Sequence, residues 1–288
     1  MNTCRNQLGG GIQRRFCAPC HVPNTPVWCW KEPGRSTITR SFHQERLKKD
    51  TSHQYLAPLT DDLVIRTLSS DDEIACVSWL RAKAFYAYPP ERAFAGEIHQ
   101  MMIAEEESKS LKALRLDAAL REKRGDGDWN EKTITLVALC HVDALDTSID
   151  DNLCFVDVDG STVIVVGSLD VHFAKALPGE VLIGSSEHAA YLANVCTADA
   201  AKRRGVAALL LQRARDIARE NNADDIFVHT MAVNEIARAF YEKNGFVVEK
   251  EETSNQAHYR GRCLDGVEGL ARTVLLRDSF YSTLKSKK

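Results

Sequence analysis

The sequence predicts a mixed α/β domain built on a largely antiparallel sheet. Three observations carry this. Apolar stretches with the two-residue alternation of strands recur between segments of helical period. Two of the strand segments flank Asp159-Gly160, a strong hairpin turn. Two later strands, 189–197 and 225–231, each run into an amphipathic helix.

In chain order, 62–68 is a first strand. Ser70-Asp71-Asp72-Glu73 then supplies an N-cap and acids for a helix start. That helix runs through Ile74, Val77, Leu80 and Ala84 and stops before Pro89-Pro90. A second helical pattern runs from 91 to 124, with Phe94, Ile98, Met101, Met102, Leu111, Leu114, Leu116 and Leu120 as its apolar face and Glu105–Glu107 as its wet one. Gly125-Asp126-Gly127-Asp128 breaks it. Strands follow at 133–142, 154–158 and 161–173, with an acidic loop at 143–152 and a short apolar piece at 181–183. Strand 189–197 leads through Lys202-Arg203-Arg204-Gly205 into a helix with apolar positions 206, 209, 210, 214, 217 and 218. Strand 225–231 leads into a helix at 234–244, with Gly245 placed to end it. Segments 246–248 and 271–276 close the sheet.

Composition bounds the function. The chain has 288 residues, 44% hydrophobic, 27% charged and 7% aromatic, which is ordinary globular usage. It is long enough to bury a core without disulfides. No apolar run is long enough to span a bilayer. Residues 1–50 hold nine Lys/Arg against three acids, and the other 238 hold 28 against 37. The acidic body is a poor platform for nucleic acid. The nine cysteines are scattered, and those of the body sit mostly in apolar runs, which reads as reduced, buried thiols.

The basic head, 1–50, is a separate object. It is aperiodic, and its first 31 residues contain no acid. Acid-poor, Arg-bearing leaders direct proteins to chloroplasts and mitochondria, so 1–50 is expected to be an organellar transit peptide or disordered leader, followed by a domain at 60–280. Cys17, Cys20, His21 and Cys29 offer a competing zinc site. The second spaced ligand pair of a structural zinc site is missing, and no metal is expected. Asp157-Val158-Asp159-Gly160 faintly resembles a calcium loop but lacks the later acidic ligands.

Two segments carry chemistry. At Lys202–Ala207 a basic turn enters a helix, where unpaired backbone N–H groups and the helix dipole converge. Gly205 and Ala207 allow close approach to the backbone. The turn reads either as a cradle for a pyrophosphate or as a plain basic cap on a surface helix. In the second segment, Asn234 is a good N-cap, Ile236 and Phe240 form an i,i+4 apolar pair, and Tyr241 follows.

Together these segments resemble the GNAT superfamily of N-acetyltransferases. The family's coenzyme A loop, Gln/Arg-x-x-Gly-x-Gly/Ala, is matched by Lys202–Ala207 with Lys202 as the one departure. The later signature, Asn-x-x-Ala-x-x-x-Tyr-x-x-x-Gly-Phe, is matched at Asn234, Ala237, Tyr241, Gly245 and Phe246. The stretches Tyr191–Thr197 and Phe227–Thr230, with the leader, look most like the plastid acetyltransferases of plants and algae. The resemblance implies a GNAT fold, its sheet splayed where acetyl-CoA binds. It implies that backbone groups of Val195, Cys196 and Thr197 line the pantetheine arm. Arg203, Arg204, Gly205, Val206, Ala207 and Ala208 hold the pyrophosphate, Asn234 binds the pantetheine amide, and Tyr241, also at the cofactor, is the general acid.

Relative to Asn234, His229 stands where bacterial relatives carry a catalytic Glu; His172, Glu187 and a bound water are the other candidate bases. The implied activity is direct acetyl transfer to protein or peptide amines, N-terminal or lysine, in the plastid stroma, with the mitochondrion second. The acidic loops at 143–159 suit a cationic acceptor. A small-molecule amine acetyltransferase and a non-enzymatic acyl-CoA sensor are the rival functions.

Overall fold

The computed structural model describes residues 58–59, 63–124, 132–145, 149–174, 188–253, 255–256 and 272–280. The head with its Cys17, Cys20, His21 and Cys29, the 125–128 breaker, the piece at 181–183, Glu187 and the C-terminal tail lie outside the described residues.

The elements are β1 (Val64–Thr67), α1 (Asp71–Phe85), α2 (Ala93–Arg124), β2 (Lys132–His141), β3 (Cys154–Val156), β4 (Thr162–Ala174), β5 (Ala189–Thr197), α3 (Val206–Glu220), β6 (Asp225–Met231), α4 (Glu235–Lys243), β7 (Val247–Glu251) and β8 (Thr273–Ser279). The acidic stretch expected as loop contains two short 3-10 turns, Val142–Ala144 and Asp151–Leu153. The strands form one eight-stranded sheet in the order β1-β2-β4-β5-β6-β8-β7, with β3 pairing β4. Every pairing is antiparallel except β5 with β6. This is the mixed, mostly antiparallel α/β architecture the patterning predicts.

Local chemistry explains the boundaries. Ser70 and Glu73 close a capping box at the start of α1: the Glu73 amide donates to Ser70 Oγ at 3.1 Å, and the Ser70 amide donates to Glu73 Oε2 at 3.2 Å. Glu73 is also paired with Arg66 of β1, which ties the helix start to the first strand. The β3–β4 hairpin turns at Asp159-Gly160, with Gly160 at φ 82°. The nearby carboxylates serve the turn: Asp157 accepts from the Val158 amide and Asp159 from the Ser161 amide.

The sheet is covered on both faces. Gly167 of β4 faces α3, where an added Cβ would lie 2.8 Å from Val206 Cγ1 and 2.9 Å from Leu210 Cδ1. Its neighbour Ser168 points the other way, accepting from Arg81 of α1. Helix α3 buries Val206, Leu210, Ala214, Ile217 and Ala218 of the periodic positions its sequence presents; Leu209 is only half-buried, and Leu211 is buried in addition. Helix α1 buries Ile74, Val77 and Leu80, whereas Ala84, in its last turn, is exposed.

Helix α2 departs from its predicted face. Leu111 is buried, but Phe94 is 78% exposed, and Ile98, Met101, Met102, Leu116 and Leu120 also project outward. Glu107, expected on the wet side, reaches in to Arg81 at 2.6 Å. A helix of 32 residues is about 48 Å long at 1.5 Å per residue. That exceeds the 15-residue α1 it packs against, so burial is set by where α1 lies.

Candidate active site

The site begins where two parallel strands part. Strands β5 and β6 pair from Ala189 with Asp225 to Leu192 with Val228, and the pairing stops there. Strand β5 continues to Thr197 on β4 alone, and β6 to Met231 on β8 alone. Val195, Cys196 and Thr197 therefore lie along a strand whose β6-side edge has no strand partner among the described residues. At the parting, β5 sets two residues, Asn194 and Val195, against the single Leu169 of β4. Asn194 takes φ 53° in this bulge.

Past Thr197 the chain makes a 3-10 turn, Asp199–Ala201, and reaches the basic turn. Arg203 sits at φ 66° and Gly205 at φ 89°, the left-handed region that glycine occupies without cost. Gly205 caps α3 without a side-chain acceptor. Its carbonyl takes the Ala208 and Leu209 amides, and Arg204 donates its amide to Ala201. The amides of Arg203, Gly205, Val206 and Ala207 have no backbone acceptor among the described residues. An unpaired set of donors on a helix dipole is built to receive an anion.

The three cations of this turn divide. Lys202 and Arg203 are exposed, and Lys202 pairs with Asp199. Arg204 is buried: Nη1 donates to the Ala144 carbonyl at 3.1 Å, and its own carbonyl accepts from the Leu59 amide at 3.1 Å. The guanidinium expected to reinforce the cradle instead anchors the turn to the body. Val206 likewise turns its side chain into the core and offers only its backbone.

Beyond β6, Asn234 caps α4 as its residue type predicts, its Oδ1 accepting from the Ala237 amide at 3.1 Å. The predicted apolar pair splits. Phe240 packs against the core, whereas Ile236, in the first turn, is 66% exposed. Tyr241 points inward and is 4% exposed. Its ring meets Phe246 edge-on at 5.2 Å. Arg215 of α3 holds the end of this helix by bonding the Asn244 carbonyl and Asp278, and lies over the Phe246 ring. The Tyr241 hydroxyl has no hydrogen-bond partner among the described residues. Burial, and secondarily the nearby Tyr191 phenol, push its pKa well above the usual tyrosine value. The Cys196 thiol is pushed up to about 12 by burial, so it is no nucleophile at neutral pH.

His229 shares a face with Phe227, opposite Ile226 and Val228, as strand alternation predicts. Its Nδ1 lies 3.1 Å from the Tyr191 hydroxyl. His172 is a different case. It is buried, its Nδ1 is 2.8 Å from Thr133 Oγ1, and its ring stacks on Tyr191. Burial lowers its pKa despite Asp170 nearby. It therefore sits as a neutral, packed ring rather than at the open edge. The sequence motifs do not single out Tyr191. The signal was present: Tyr191 pairs with Phe227, so a side chain leaning along the strand meets His229 two residues on.

Among the described residues no group of three or more His, Cys, Asp or Glu is gathered to hold a metal, and no helix is long and apolar enough to cross a membrane.

Within residues 189–246 the chain thus carries a parted parallel strand pair, a helix start with unpaired amides and a buried tyrosine. Residues 117–246 match the model of the Acetyltransferase (GNAT) family. The chain is 30% identical over 221 residues to GCN5-related N-acetyltransferase 7, chloroplastic, of Arabidopsis thaliana, covering 73% of this chain and 77% of that one. It is 24% identical over 200 residues to GCN5-related N-acetyltransferase 6, chloroplastic, of the same plant, covering 64% and 62%. Its fold superposes on a GNAT-family acetyltransferase from Streptococcus pneumoniae with a TM-score of 0.44 and 15% identity, over 76% of this chain and 100% of that one. The chain belongs to the GNAT family and is an acetyl-CoA-dependent N-acetyltransferase.

Proposed function

We propose that this enzyme acetylates protein amines, N-terminal α-amino groups or lysine side chains, in the plastid stroma, with Tyr241 as general acid. The observation that carries the mechanistic part is the Tyr241 phenol, buried, without a hydrogen-bond partner among the described residues and within electrostatic reach of the Tyr191 phenol on β5. Because its pKa is raised, it holds its proton throughout the neutral and mildly alkaline range. It donates that proton to the departing coenzyme A thiolate, whose own reference pKa is near 8.5.

The amine attacks the acetyl carbonyl directly, since the one cysteine on β5 is held as a buried thiol. A β5 backbone N–H stabilises the oxyanion. The unpaired amides of Arg203, Gly205, Val206 and Ala207 receive the pyrophosphate, with the Arg204 backbone and the small Ala208 beside them. Val195, Cys196 and Thr197 lie along the pantetheine arm, and Asn234, its Oδ1 engaged as a cap, offers its Nδ2 to the pantetheine amide. His229 is the candidate base, taking the proton of the attacking amine.

Support for the acceptor class and compartment comes from the surface and the relatives. Asp143, Asp151 and Asp159 are exposed on acidic loops that suit a cationic acceptor, and the two matched relatives carry "chloroplastic" in their names. Residues 1–50 are proposed as the transit peptide and 60–280 as the catalytic domain.

The test is incubation of the full chain with acetyl-CoA, a peptide library bearing free N-termini and lysines, and a set of polyamines, read by mass. Acetylated peptides are expected. Acetylation of polyamines alone would make this a small-molecule enzyme. Bound acetyl-CoA with no transfer to any amine would make it a sensor.

A further inference from the structure

Beneath the β5 bulge lies a buried ionic cluster that takes no part in the chemistry described so far. Arg81 of α1 is 3% exposed and Asp170 of β4 is 1% exposed. Arg81 Nη2 donates to Asp170 Oδ1 at 2.7 Å and to Ser168 Oγ at 2.9 Å, and Nη1 donates to Glu107 of α2. Thr135 Oγ1 donates to the same Asp170 oxygen at 2.7 Å. The other oxygen, Oδ2, accepts from Asn194 Nδ2 at 2.7 Å. Burial, the largest single influence, would raise the Asp170 pKa, but the Arg81 guanidinium together with His172 and the hydrogen bonds from Arg81 and Asn194 outweighs it and holds the carboxyl below the usual range. The pair is charged on both sides.

As a source of stability such a pair is a poor choice, because burying two charges costs about what their attraction returns. What it does specifically is present one fixed carboxylate oxygen to Asn194. Asn194 needs holding. It is one of three non-glycine residues described at positive φ, and it opens the bulge at the point where β6 leaves β5. Asparagine tolerates that backbone better than most residues, but tolerance does not select it. The tether to Asp170 does. The strand segment that follows, Val195 to Thr197, is the part of β5 left open toward β6. Its direction follows from the bulge, as bulges beside active sites re-aim the chain.

We propose that Asn194, held by Asp170 and Arg81, is a positioning residue for acetyl transfer: the tether fixes the β5 bulge and so aims the strand's N–H groups at the acetyl carbonyl. The proposal rests on the reading of this cleft as the acetyl-CoA site. It makes Arg81 and Asp170 supports of Asn194 that never touch the reacting atoms. It also links α1 and α2 to the chemistry through Arg81 and Glu107.

The experiment is a complementary swap with one simpler variant. Asn194→Asp opposes two carboxylates, and Asp170→Asn opposes two amide groups. The double variant restores one donor facing one acceptor, with residue 170 still offering an oxygen to Arg81 and Thr135. Asn194→Gly keeps the backbone conformation available and deletes only the tether. In Asn194→Gly, kcat is expected to fall roughly 10²-fold while KM for acetyl-CoA stays within about threefold, the signature of a misplaced transition-state donor. Amide hydrogen exchange should speed up at 193–197. The double swap should recover turnover that either single change loses.

Wild-type kcat in Asn194→Gly would overturn the proposal, as would a double swap no better than its parents. Should the wild-type chain transfer acetyl to no amine, the functional reading falls, and the tether is judged by exchange alone. Unchanged exchange at 193–197 in Asn194→Gly then overturns it too.

Discussion

Tyr191 and His229, on neighbouring parallel strands, meet through a 3.1 Å hydrogen bond at the point where those strands part. Their rings lie 5.7 Å apart, and His172 stacks on the far side of Tyr191. The phenol thus fixes the orientation of the imidazole proposed as base, and its own ring is held from behind.

A double-mutant cycle tests that arrangement. Tyr191→Phe keeps the stacked ring and removes the hydrogen bond to His229, which is worth roughly a threefold to tenfold loss of kcat. His229→Gln should slow lysine acceptors more than α-amino acceptors, because lysine, with a reference pKa near 10.4, needs more help to lose its proton. In the His229→Gln background, Tyr191→Phe should cost nothing further. Additive effects would show that the two side chains act separately, and an unchanged pH–rate profile in His229→Gln would leave the imidazole a structural group.

Gly205→Glu should abolish acetyl-CoA binding in calorimetry. The position is at φ 89°, where an L side chain is strained, and open space around it would place the new carboxylate beside the unpaired amides. Wild-type affinity would locate the pyrophosphate elsewhere.

The buried Tyr241 phenol predicts an alkaline loss of stability. Its folded pKa lies above the reference value near 10. Below that pH both folded and unfolded chains hold the proton and stability is undiminished. Above it the unfolded chain ionises first, so stability falls by up to ~1.4 kcal/mol per pH unit until the folded value is passed. Chemical denaturation across that range should show a steeper decline for wild type than for Tyr241→Phe. Parallel curves would mean that the hydroxyl is solvated in the native state.

Deleting residues 1–50 should leave turnover and thermal midpoint unchanged, and the same segment should carry a fluorescent reporter into plastids. A cytosolic reporter, or lost stability with release of bound zinc, would instead favour the cysteine-rich reading of the head.

Much of this architecture is legible from local chemistry. The capping box at Ser70 and Glu73, the Asp159-Gly160 turn, the Asn234 cap and the Gly245 stop are each decided by a few adjacent residues, and each forms as patterned. What escapes a local reading depends on partners distant in sequence. The apolar residues of α2 predict a face, but the position of α1 decides which of them it covers, so Leu111 is buried and Phe94 is not. Arg204 stands among cations in the sequence, yet Ala144, sixty residues away, claims it. Asp170 reads as an interruption in an apolar strand until Arg81 and Asn194 arrive from other elements. Tyr191 gains meaning only from the parallel register with β6.

Whether Tyr241 protonates the leaving thiolate is decided by comparing Tyr241→Phe with wild type for both acetyl-CoA affinity and turnover limited by chemistry. Affinity should be unchanged, since only a hydroxyl with no hydrogen-bond partner among the described residues is removed and the ring still packs on Phe246. Turnover should fall by roughly 10²- to 10⁴-fold, the range for loss of a general acid. Wild-type turnover in this variant would take Tyr241 out of the mechanism.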